Sequence, residues 1–128
     1  MYKNSNENKS TFKKKVGDNG ELAVVNLLLS QGYKLLARNY NIHNCGELDS
    51  VFMKDDDLYI VEVKSRKANN GYASPEESIS PSKYCKLVKT ANVFVSKYGL
   101  FDCNINFLIG AVTHNSDGLI QNVEIIPF

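Results

Sequence analysis

The sequence predicts an α/β fold in which a central sheet of about five strands is flanked by two main helices. Three observations carry that expectation. Two apolar segments read as helices, one running from a capping cluster to Gly32 and one with apolar residues at three- and four-residue steps up to Gly99. Two adjoining runs rich in β-branched and aromatic residues flank an acidic turn. Two further apolar runs near the C-terminus are joined through Asp117-Gly118, a strong tight-turn signal. At 128 residues and 43% hydrophobic content, the chain fits one domain with a real core and no need of disulfides or a structural metal.

In chain order, residues 1–15 carry only Met1, Tyr2 and Phe12 as apolar side chains, so a flexible basic N-terminal arm is expected, with residues 16–128 as the single domain. Asp18 or Asn19 can cap a first helix over residues 19–31, and Gly32 can take the left-handed position that ends it. Tyr33, Leu35, Leu36 and Tyr40 then mark a strand over residues 33–42. Residues 47–53 and 58–65 form a central hairpin, and residues 67–80 have loop composition. From Pro81-Ser82 the second helix places Tyr84, Leu87, Val88, Ala91, Val95 and Tyr98 on one side and Lys83, Lys86, Lys89 and Lys97 on the other. Residues 104–113 and 119–128 complete the sheet.

The hairpin holds the candidate chemistry. With Lys54-Asp55-Asp56-Asp57 as the turn, antiparallel pairing sets Phe52 opposite Tyr59, Val51 opposite Ile60 and Asp49 opposite Glu62. Strand alternation puts Leu48, Ser50, Phe52, Tyr59, Val61 and Val63 on one face. The other face begins apolar near the turn, then carries Asp49 and Glu62, then Glu47 and Lys64. Directly opposed carboxylates have Cβ atoms about 4.5–5.5 Å apart and destabilise the pair unless compensated. A divalent cation, Mg²⁺ or Mn²⁺, is the natural compensator, and it completes its coordination with water and substrate phosphate. Lys64 shares the face of Glu62 and can serve the attacking water and the charge developing on phosphoryl oxygens, while the Val63 carbonyl can join the metal. The plainer alternative is an ion-paired polar end of a hairpin. Glu21 has two readings as well, a metal-site residue or part of the capping arrangement at a helix start.

A formal charge of +1 is too small to announce a nucleic-acid binder by itself, so that role rests on local groups: Arg66 past the strand and Lys83 and Lys86 on the second helix. Cys45, Cys85 and Cys103 are widely spaced and odd in number, which points to a reducing cytoplasm and to neither a disulfide framework nor a zinc site. No run reaches the length of a membrane span, and the polar N-terminus lacks a signal-peptide core. His43 and His114 have no partner spacing and receive no role.

Gly20-Glu21, Gly32-Tyr33, Arg38-Asn39-Tyr40, Gly46-Glu47-Leu48-Asp49, Val61-Glu62-Val63-Lys64-Ser65-Arg66 and Lys83 together resemble the PD-(D/E)XK nuclease superfamily, and within it the small bacterial YraN-type proteins. The resemblance spans roughly residues 17–128 and is similar to that of archaeal Holliday-junction resolvases. It implies a restriction-endonuclease-like core with a mixed sheet, in which Asp49, Glu62 and Lys64 occupy the catalytic positions and Glu21 reaches the metal. The activity it implies is metal-dependent hydrolysis of DNA, with branched and single-stranded DNA as candidate substrates. A nucleic-acid-binding module without turnover and a protein-interaction scaffold are the rival readings. A homodimer would let two sites act on two strands, although no sequence feature establishes one. Two departures stand out: Asn104-Ile105-Asn106 replaces the usual Arg-Phe-Asp, and Ile126-Pro127-Phe128 only approximates the usual ending.

Overall fold

The computed structural model describes residues 12–68 and 79–128. Its elements run α1 (Phe12–Ser30), β1 (Lys34–Ile42), β2 (Gly46–Lys54), β3 (Asp57–Lys67), α2 (Pro81–Tyr98), β4 (Asn104–His114) and β5 (Ile120–Pro127). The five strands lie in sequence order in one sheet. β3 and β4 are parallel, joined through α2, and every other neighbouring pair is antiparallel. The expected mixed α/β architecture is therefore present.

Each helix owns one apolar layer. Val24, Val25 and Leu28 of α1 pack with Phe52, Val61, Leu108 and Val112, whereas Leu87, Ala91, Phe94 and Val95 of α2 pack with Val51, Leu58 and Ile60. Covering both faces explains why β3 and β4 read as nearly continuous apolar runs in their middles. α2 has the boundaries its sequence signals require. The Ser80 side chain accepts a hydrogen bond from the Lys83 N–H, Pro81 opens the first turn, and Gly99, at φ 66°, returns its N–H to the Val95 carbonyl.

α1 departs from expectation at its start. The helix begins at Phe12 and runs through Gly17, Asp18, Asn19 and Gly20, so Asp18 and Asn19 are interior residues rather than caps. A helical glycine costs about 1 kcal/mol relative to alanine, which is why glycines read as boundaries. Here packing overrides that preference: a Cβ on Gly20 would lie 2.6 Å from Ser65 Oγ and 3.5 Å from Val112 Cγ1, so the glycine lets α1 rest directly on the sheet. Residues 12–15 of the expected arm are thus helical, while residues 1–11 lie outside the described residues. So do residues 69–78 of the expected loop, between the end of β3 and the cap of α2.

The β2–β3 hairpin turns at Asp55-Asp56, with Asp55 left-handed at φ 56°. Phe52 pairs with Tyr59 and Val51 with Ile60, as the sequence register requires. The ladder ends at Ser50 opposite Val61. On the other side of β2, Arg38 pairs with Ser50 and Tyr40 with Leu48, so Asn39, left-handed at φ 49°, stands opposite Asp49. Asp49 therefore lies opposite a left-handed residue on one side and beyond the end of the β2–β3 ladder on the other. This has a consequence that alternation missed: Leu48 joins the α2 layer rather than the face of Phe52 and Val61.

The Asn104 and Asn106 departure lies away from this place. Asn104 Nδ2 donates to Asp57 Oδ1 at 3.1 Å and Asn106 Nδ2 to the Leu58 carbonyl at 3.4 Å, both at the turn end of the hairpin. Phe128 packs against Tyr84 and Phe107, and its N–H bonds the Phe107 carbonyl.

Candidate active site at the open end of the hairpin

One step past Ser50 and Val61, a side chain takes over from the backbone. The Val63 N–H donates to Asp49 Oδ2 at 2.9 Å, which pins that carboxylate between the separating strands. Glu62, on the facing strand, is 6% exposed, and its carboxyl comes within hydrogen-bonding reach of the Asp49 carboxylate. The predicted cross-strand pair of Asp49 and Glu62 is thereby brought together. Burial, then the hydrogen bond to Asp49 and its negative charge, push the Glu62 carboxyl up to about 8, with Lys83 and Lys64 only partly opposing.

Glu21 reaches the same neighbourhood from α1, whose close seat at Gly20 brings the next residue to the sheet. Burial raises its carboxyl above the ordinary range, the charge of Asp49 adds to the rise, and Arg38 counters it. Lys64 is half-buried, and its ammonium is pushed down chiefly by burial, then by a hydrogen bond from Lys83 and by that lysine's charge. Glu62 and Asp49 act in the opposite direction on it.

A cleft of about 280 Å³ opens here, with Asp49 and Glu62 on the sheet side and Lys83, Lys86, Leu87 and Thr90 on the α2 side. Two of the three expected nucleic-acid contacts, Lys83 and Lys86, thus face the carboxylates. Arg66 is on the exposed end of β3 and is not among the residues that line the cleft.

Three contributors escaped the sequence reading. Gly46 and Thr90 set how closely α2 approaches β2: a Cβ on Gly46 would lie 2.7 Å from Thr90 Oγ1, and the buried Thr90 hydroxyl donates to the Lys86 carbonyl at 2.7 Å. Their signal was a glycine at a strand start and a polar residue on the apolar stripe of a helix. Arg38 carried no signal beyond its place in the motif, because only the fold brings it near Glu21.

The donor chemistry fits a hard divalent cation. The half-buried Asp49 carboxylate sits against the buried Glu62 carboxyl, and its negative charge adds to the rise of Glu62. Among the described residues, no group of three or more His, Cys, Asp and Glu side chains is arranged to hold a metal by itself. Glu21 consequently does not close a three-carboxylate cage with Asp49 and Glu62. That is the open arrangement magnesium sites favour, with one or two carboxylates and the remaining positions left to water and phosphate.

Comparison with known proteins agrees with the sequence motifs. A UPF0102 protein of Clostridioides difficile is 39% identical over 94 residues, covering 73% of this chain and 81% of that protein. One of Persephonella marina is 35% identical over 106 residues, covering 83% and 90%, and one of Dictyoglomus turgidum is 35% identical over 114 residues, covering 89% and 95%. The profile of the uncharacterised protein family UPF0102 matches residues 20–112, a span that contains Glu21, Asp49, Glu62, Lys64 and Lys83. The chain belongs to the UPF0102 family, the YraN-type proteins.

Proposed function

We propose that the protein is a cytoplasmic, divalent-metal-dependent nuclease that hydrolyses phosphodiester bonds of DNA. The observation that carries this reading is the meeting of the half-buried Asp49 with the buried Glu62 at the point where the β2–β3 ladder opens, with Lys64 beside them. Facing carboxylates held out of water cost stability, so their presence is better explained by a ligand that compensates them than by folding.

Asp49 and Glu62 would hold Mg²⁺ or Mn²⁺, which when bound supplies charge stabilisation at the phosphoryl group and an acidified water. The protein's own part is positional and electrostatic. The Val63 N–H fixes the Asp49 carboxylate in one orientation, which limits the reorganisation needed on substrate binding. Lys64, beside the two carboxylates, orients the attacking water and stabilises the charge that develops on the phosphoryl oxygens. Lys83 and Lys86 present positive charge to the phosphate from the opposite wall of the cleft. On the α1 side, Glu21 lies within the electrostatic reach of both Asp49 and Arg38.

The test is cleavage of labelled single-stranded, duplex and branched DNA in Mg²⁺ by the wild type, Asp49→Ala and Lys64→Ala. Each substitution should lower the rate about 10³-fold, equivalent to about 4 kcal/mol of lost transition-state stabilisation, with the fold intact by circular dichroism. Full activity in both variants contradicts the assignment. A binding module without turnover is the second reading, favoured by Lys83 and Lys86 in the cleft wall, which can meet phosphate without a metal. It would bind DNA without metal and with steep salt dependence.

A further inference from the structure

Away from the carboxylates, a groove of about 900 Å³ lies between the edge strand β1 and the C-terminal half of α2. Its lining includes Leu36, Arg38, Tyr40, Phe94, Tyr98 and Leu100. The rings of Tyr40, Phe94 and Tyr98 form one cluster with centroids 4.8–6.1 Å apart, and the two tyrosine hydroxyls meet at 2.9 Å. Tyr98 is 50% exposed, so a large aromatic surface faces solvent in the groove. Lys97 Nζ stands 5.7 Å from the centroids of both tyrosine rings.

We propose that this groove binds single-stranded DNA, with unpaired bases stacking on Tyr98 and Tyr40 while the backbone continues into the carboxylate cleft. The choice of DNA as ligand rests on the nuclease reading; the stacking itself is argued from the groove. Three features of the groove point the same way. It adjoins the cleft, since Thr90 lines the cleft and Phe94 the groove, one helical turn or about 6 Å apart along α2. The charge suits a polyanion, because α2 carries Lys83, Lys86, Lys89 and Lys97 and no acidic residue. Aromatic surface beside backbone-tracking cations is the arrangement that holds single strands, since every base offers a π-face only when it is unpaired. An exposed lysine changes rotamer within nanoseconds, so Lys97 exchanges the ring faces for a phosphate when a base arrives. A second copy of the chain is a poorer occupant: a two-fold contact through this face would set one cationic α2 against another.

The experiment measures binding of a fluorescein-labelled oligothymidylate, and of a duplex of equal length, to the full chain by anisotropy in EDTA, where no cleavage intervenes. Tyr98→Ala should weaken oligothymidylate binding about 5- to 150-fold, and Tyr98→Phe, which keeps the ring, should restore it. Lys97→Ala, at a fully exposed position that does not endanger folding, should lower the log–log salt slope by about 0.7. Unchanged binding in both Tyr98→Ala and Lys97→Ala overturns the proposal, as does a duplex that binds as tightly as the single strand. A concentration-dependent dimer that Tyr98→Ala dissolves, with oligothymidylate binding unaffected, would assign the groove to a second copy and also overturn it. The two readings fail separately. Stacking seen without Asp49-dependent cleavage retires the nuclease alone, and Asp49-dependent cleavage with Tyr98-independent binding retires the groove alone.

Discussion

The two ends of the β2–β3 hairpin use the same pair of strands to opposite purposes. At the turn end, strand pairing continues without interruption from Lys54 opposite Asp57 to Ser50 opposite Val61, and Val51, Phe52, Leu58, Ile60 and Val61 bury apolar side chains on both faces. At the open end, the ladder stops, Asn39 of the neighbouring strand turns left-handed, and the Asp49 side chain receives the hydrogen bond that a carbonyl would otherwise take. The first end is organised for burial. The second sacrifices regular pairing to hold two carboxylates together, and that contrast separates residues whose loss unfolds the protein from residues whose loss silences it.

The largest expected effect on stability is at the turn end. Phe52 is fully buried against α1, and Phe52→Ala should cost about 3–5 kcal/mol, read as a lower urea midpoint at unchanged slope. A loss under about 1 kcal/mol would mean that the apolar end is not the structural half of the hairpin. Gly46→Ala tests how the open end is covered: its Cβ would meet Thr90 Oγ1 at 2.7 Å, so the Thr90 side chain or α2 itself has to shift, at about 1–3 kcal/mol. Because Lys83 and Lys86 ride on α2, the same substitution should reduce cleavage more than Phe52→Ala does at a temperature where both are folded.

Asp49→Asn sharpens the contrast by reversing its sign. The amide oxygen keeps the bond from the Val63 N–H but the charge facing Glu62 is gone, so metal-free stability at pH 8 should rise by about 1 kcal/mol while cleavage is lost. pH should reveal the same tension. Glu62 holds its proton up to about 8 when folded and near 4.5 when unfolded. Its contribution to stability is therefore full below 4.5 and is lost as pH rises through about 8. The melting temperature of the metal-free protein should decline across that window, Glu62→Gln should flatten the decline, and saturating Mg²⁺ should offset it. A wild-type melting temperature that ignores pH between those values would remove the buried carboxylate from the account.

How far the sequence foretold this follows the same division. Where local rules and tertiary packing agree, the reading succeeded: the hairpin register follows from apolar alternation and an acidic turn, and α2 from a proline at its start, apolar residues at three- and four-residue steps and a glycine at its end. The Asp49–Glu62 pair was legible for that reason, because register alone opposes them. The start of α1 was not, since Gly17 and Gly20 carry a boundary signal that close seating on Ser65 and Val112 overrides. Leu48 was placed on the wrong face because period two presumes an unbroken ladder, and the ladder breaks next to it. Arg38, Gly46 and Thr90 could not be assigned from the chain, because each acts on a residue brought near only by the fold.

The central claim is that Asp49 and Glu62 sit together to hold a cation. Isothermal titration of Mn²⁺ into the wild type and Asp49→Ala at pH 8 tests it without any assumption about substrate. The account predicts saturable binding with proton release in the wild type and its loss in Asp49→Ala, since the bound ion displaces the proton that Glu62 holds. Equal binding in the two proteins would contradict it.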